Sequence, residues 1–170
     1  MKQRWLLYTL TGILFGIFDF YYHAFISNTL SLQQLRGLFA ELVWLVLSVG
    51  IWLVPVIPVI LYEARISRST WRAALASVLT WCAAVAAYYL TNGVQLALIG
   101  VPSRPELHLS NRADPHFLEN WKSIFWYDLV GGSFEWLVVA VIGGSLIGFL
   151  VSFFVLRQRR AHEGKPASQT

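Results

Sequence analysis

Asp19 and His23 stand four residues apart inside the first long apolar run, which reads GILFGIFDFYYHAF from Gly12 to Phe25. A carboxylate and an imidazole one helical turn apart can share a proton, hold a cation or, with a further ligand, hold a metal. Each role requires them to be kept from lipid, where an unpaired ionised side chain costs several kcal/mol. Gly12, Gly16, Asp19 and His23 follow one another at intervals of four, three and four, so a helix places all of them on one face. Gly12 and Gly16 form a GxxxG pair, whose missing side chains let a second helix backbone approach and draw Asp19 into the interior of a bundle.

Partners for that face recur along the chain. Glu41, Trp44, Ser48 and Trp52 are helically spaced in the second apolar run, and Trp81, Tyr88, Asn92 and Gln95 form a stripe in the third. Asp128 and Glu135, seven apart, share a face on a regular helix. At about 1.5 Å per residue, Asp19 lies roughly 20 Å from the start of its helix, and the other polar groups lie toward the opposite end. The spacing therefore predicts a polar vestibule lined by Asp19, His23, Glu41, Trp44, Tyr88, Asn92, Gln95, Asp128 and Glu135. The bland alternative leaves Glu41, Asp128 and His23 at the lipid headgroups and Asp19 bonded only to His23 or Asn92. Glu63 reads as a solvated partner of Arg65 or Arg68, and Cys82 as a small buried hydrophobe.

Three classes of function suit this pattern. A carboxylate-rich vestibule with aromatic walls can bind or translocate a cation, a proton or a small cationic solute. A structural or assembly subunit would instead use its small-residue faces, Gly12 with Gly16 and, in the fourth run, Ala140, Gly144 and Gly148; one face would serve the bundle and another a second copy or a different membrane subunit. An intramembrane enzyme using paired carboxylates comes third, since no HExxH, CxxC, nucleophile elbow or phosphate-binding glycine loop occurs. No cofactor or metal is expected. His108, Asp114 and His116 lack a recognised ligand spacing.

The elements that must position these residues follow from composition. With 56% hydrophobic and 13% charged residues in 170, the chain carries more apolar surface than one soluble core can hide. Four runs, at about 5–26, 38–62, 73–101 and 129–156, are long enough to cross a hydrocarbon layer of about 30 Å. The expected fold is an all-α integral membrane protein, a four-transmembrane-helix antiparallel bundle occupying 1–160 as one domain, with a disordered tail at 161–170. Lys2 and Arg4 before an apolar run resemble a secretory signal, but the bulky flank Asp19 to Ile26 lacks the small residues of a cleavage site, so the first run reads as an uncleaved span.

The basic residues divide nine to four between the two sets of flanks. Lys2, Arg4, Arg65, Arg68, Arg72, Arg157, Arg159, Arg160 and Lys165 share one side, which places both termini in the cytoplasm. The net charge of +4 is then a topology signal with some attraction to anionic lipid, and nothing points to nucleic acid. The bilayer is the expected partner, of the bacterial plasma-membrane type. The first outer loop, about Ser27 to Gly37, and the inner loop, about Glu63 to Thr70, are short, so successive helices are expected to be antiparallel neighbours. The outer loop from Val101 is longer. Ile124 to Leu156 would be about 50 Å of helix, too much for a plain crossing, so a break at Gly131-Gly132-Ser133 with an interfacial helix before it is expected. Pro55 and Pro58 predict a kink in the second span.

Asn111-Arg-Ala-Asp114 is similar, over four residues, to the Asn-x-Ala-Asp element of lipoprotein signal peptidases. That family also has four spans, with two catalytic aspartates. The resemblance implies a second aspartate near the end of the third span, where this chain reads Thr91-Asn-Gly-Val-Gln-Leu-Ala, and Pro115 directly follows Asp114. The activity is not carried over.

Overall fold

The computed structural model describes residues 2–29 and 38–163; within them the side chains of residues 27–29, 38–41, 44, 49 and 160–163 lie outside the description. Helix is the form that satisfies backbone polar groups within one segment, as an apolar solvent demands. The described residues form helices, turns and loops without a strand. The helices are α1 (Lys2–Thr29), α2 (Leu38–Val49), α3 (Leu53–Ser67), α4 (Thr70–Val94), α5 (Phe117–Ile124) and α6 (Gly132–Glu163). Four helical stretches are long and apolar enough to cross a membrane: Lys2–Ile26, Leu45–Ser67, Thr70–Ile99 and Phe117–Arg159. They match the four apolar runs in order.

α4 is the hub, packing against α1, α3 and α6. The reason lies in its residues, since Ala73, Ala74, Ala76, Ser77, Thr80, Ala84 and Ala87 are all small and buried. Small side chains on several faces let neighbouring helices come close on several sides at once. Gly12 and Gly16 of α1 lie against the Thr80 and Ala84 carbonyls, so that an added Cβ would collide with backbone. On the other side, Gly144 and Gly148 lie against Val78 and Ala74, and Ala140 is buried. The Ala140, Gly144 and Gly148 stripe is thus taken up inside the chain. The rising pairs along α1 and α4 make those two helices parallel, while α6 runs antiparallel to α4. α1 accordingly has its closest backbone contact with the third span rather than with its neighbour in sequence.

Several expectations are corrected by local geometry. The second span passes through both prolines as helix; the irregularity precedes them, as a 3-10 turn at Gly50–Trp52. Pro55 has no N–H for the carbonyls three and four residues back, and the Trp81 indole donates to the Trp52 carbonyl at 2.9 Å instead. The last span does not break at its glycines. It continues from α5 to α6 through a wide π-helical stretch, Phe125–Gly131, and a shorter one, Gln95–Ile99, ends the third span. Residues 161–163 belong to α6, whereas the rest of the expected disordered tail and most of the first loop lie outside the described residues.

Glu63 is the largest correction. It is 2% exposed and takes hydrogen bonds from Tyr8 Oη at 2.6 Å and Arg4 Nη1 at 3.0 Å. Arg159 also reaches the Arg65 carbonyl, so the start of α1, the end of α3 and the end of α6 share one end of the bundle. There the chain turns from α3 to α4 in two residues: Arg68 adopts left-handed backbone (φ 50°) and Ser69 caps α4 by accepting from the Arg72 N–H.

Candidate functional site

Toward the other end, the α1 face that carries Gly12 and Gly16 opens onto a cavity of about 150 Å³, large enough to hold several waters. Its walls are Asp19 and His23 of α1, Ser48 of α2, Trp52, Val85, Tyr88 and Tyr89 of α4, and Trp136 of α6. The close glycine contacts below bring α1 near enough to α4 for Asp19 to be enclosed. Asp19 is fully buried.

Neither carboxylate oxygen of Asp19 has a hydrogen-bond partner among the described residues, and the buried Ser48 hydroxyl has none either. His23 Nδ1 stands 3.3 Å from Asp19 Oδ1 and 3.2 Å from the Asp19 carbonyl, so the imidazole is divided between two oxygens of one residue. The bond to the backbone has acceptable geometry and that to the carboxylate does not. Such a carboxylate is expensive unless a cation, a proton or water meets it.

The walls are aromatic. Trp52 and Trp136 stack with centroids 6.0 Å apart and planes 14° from parallel, and Trp52 is held edge-on by Phe15 and Trp81. Tyr88 meets His23 edge-on at 6.1 Å and Tyr89 at 5.4 Å. Ring faces and a carboxylate together attract positive charge.

Of the residues expected to line a vestibule, Asp19, His23 and Tyr88 meet here. Glu41 and Trp44 lie outside the described side chains. Asn92 continues the α4 face of Val85 and Tyr88 one turn further and is absent from the lining. Gln95 begins the π-helical stretch and turns to the Gly100 carbonyl, 3.4 Å away. Asp128 is half-exposed and pairs with Arg104 at 3.3 Å, and Glu135 is exposed. A π-helical turn advances each residue through a smaller angle than an α-turn. The stretch Phe125–Gly131 therefore breaks the phase that a regular helix would keep between Asp128 and Glu135. Trp136 enters the cavity in place of its neighbour.

Ser48 and Trp52 were on the helically spaced stripe of the second run, so periodicity pointed to them. Tyr89 and Trp136 carried no such signal. Among the described residues no three His, Cys, Asp or Glu side chains gather as a metal-holding group. In the long loop, His108 is engaged by the Leu98 carbonyl and Ser110, and the Trp121 indole donates to the Leu107 carbonyl at 2.8 Å. Comparison with protein-family models, curated proteins and solved structures finds no match to this chain.

Proposed function

We propose that this protein binds a small cation within the membrane, in the cavity between α1, α4 and α6. The observation that carries the reading is the fully buried Asp19 carboxylate, without a hydrogen-bond partner among the described residues, beside stacked Trp52 and Trp136. An organic cation suits it best, because aromatic faces reward a weakly hydrated cation, whereas a lining with a single carboxylate and the hydroxyls of Ser48, Tyr88 and Tyr89 is a poor match for the carboxylate-rich oxygen shell of a hard metal ion. On this reading the nine-to-four division of basic residues sets both termini in the cytoplasm, of a bacterial-type plasma membrane, and opens the cavity outward. Translocation would be a further property of the same site.

The assembly reading has less support, since the small-residue faces of α1 and α6 are both occupied by α4. The experiment is titration of purified protein with tetramethylammonium, using tert-butanol as a neutral control. Binding at one hundred times Kd should stabilise the parent by about 2.7 kcal/mol. Asp19→Asn, which keeps shape and hydrogen bonding, should fold and lose that stabilisation. Protonated His23 competes for the same carboxylate, so affinity should fall as the pH drops from about 8 to 5. An Asp19→Asn protein that keeps every cation and pH response of the parent overturns the reading.

A further inference from the structure

Beside the cavity lies a second, larger hollow of about 710 Å³ between α4 and the last span. Gly93, Ala97 and Leu98 line one wall, and Phe125, Leu129 and Leu137 line the other. The two π-helical stretches, Gln95–Ile99 and Phe125–Gly131, both contribute to it, so each wall is built where its helix widens. Gly93 leaves the space open, since a Cβ there would meet only Leu129, at an ordinary 3.4 Å. Tyr89 belongs to the lining of both hollows. It can sit between them because Gly132 is bare: a Cβ on Gly132 would stand 2.7 Å from the Tyr89 hydroxyl.

Resting on the cation reading above, we infer that the ligand is a single-chain amphiphilic cation, its charged head at Asp19 and its alkyl chain in the α4–α6 groove. Charge at Asp19 and the adjacency of the two hollows across Tyr89 choose this occupant. Lipid tails are as apolar as the groove, so a plain hydrocarbon gains little by entering it. A chain tethered to a head that Asp19 attracts has a reason to stay. The ligand would arrive sideways from the bilayer, past Tyr89, with its tail never leaving an apolar medium.

The test uses the full chain in phosphatidylcholine nanodiscs and compares octyltrimethylammonium with tetramethylammonium, each corrected for uptake by empty discs. Fluorescence of the tryptophans, two of which line the cavity, reports binding. Referred to the free aqueous concentration of each cation, the parent should bind the octyl compound at least about ten-fold more tightly, because its chain leaves water for the groove. Gly93→Leu and Ala97→Phe, which fill the groove from two positions, should each bring that ratio close to unity. Saturable tetramethylammonium binding shows that each variant is folded. An equal ratio in parent and both variants overturns the inference, as does displacement by octanol as effective as by the octyl cation. Tetramethylammonium binding that depends on Asp19 with no gain from the chain overturns it while leaving the cation reading intact. If neither cation binds, both readings fall.

Discussion

Two buried carboxylates in one small bundle meet opposite treatment. Glu63 has a phenol and a guanidinium on a single oxygen, both from α1, and so fastens α1 to α3 across 55 and 59 residues of sequence. Asp19, equally sealed, has only an imidazole at ion-pair distance. A carboxylate supplied with donors is a structural fastening, whereas one without them is the feature on which the proposed cation site rests. The contrast is testable at Tyr8, which is 1% exposed and donates its hydroxyl to Glu63 at 2.6 Å. Tyr8→Phe keeps the ring and removes the donor, and should cost about 2 kcal/mol. Thermal unfolding followed by circular dichroism would read this loss. Leu10→Ile, at an exposed position, serves as the bland control.

At the scale of elements, the α1–α4 pairing rests on backbone meeting backbone. A side chain at Gly16 would run into the Ala84 carbonyl, and no rotamer change can relieve that. Gly16→Leu should therefore cost about 3 kcal/mol by overpacking, and it should reduce the helix content or the recovery of folded protein. An unchanged unfolding midpoint would remove the close contact from the account. The α3–α4 turn makes the reverse forecast. Arg68 carries a left-handed backbone that costs a non-glycine residue about 1 kcal/mol. Arg68→Gly should raise the unfolding midpoint slightly, by no more than that amount, because the freer unfolded chain offsets part of the gain.

Across the whole molecule, Arg4, Glu63, Arg65 and Arg159 gather at one end of the bundle, and the Asp19 cavity lies toward the other. The proposed orientation, resting on the positive-inside rule, sets the basic end in the cytoplasm. A reporter fused after Thr170 should accordingly behave as cytoplasmic, and one inserted near Ser110 as external. The opposite pattern would reverse the proposed face of the cavity. The last helical stretch, Phe117–Arg159, holds 43 residues, about 65 Å at α-helical rise and well beyond a hydrocarbon layer of about 30 Å. Part of it must therefore lie outside the apolar layer or tilt steeply, whichever end faces the cytoplasm.

What could be read from residues alone was whatever depends on local periodicity and transfer energy. Apolar run length determined four helices fit to cross a membrane, and spacing determined that Gly12, Gly16, Asp19 and His23 share a face, since helical phase accumulates from one residue to the next. Depth along the helix already marked Asp19 as the residue needing explanation. Tertiary structure decided which helix receives that face, because α4 is bordered by small residues on more than one side. It decided that Glu63 serves Tyr8 and Arg4, a match between distant positions that no local pattern encodes. It also separated Asp128 and Glu135 from the cavity and brought Trp136 in, because a π-helical stretch resets the phase on which seven-residue spacing relies. In an apolar solvent, helix rotation and height are set by close packing rather than by hiding apolar surface. Apolar run length shows how many stretches are fit to span a membrane, and only their fit to one another shows which side chains meet.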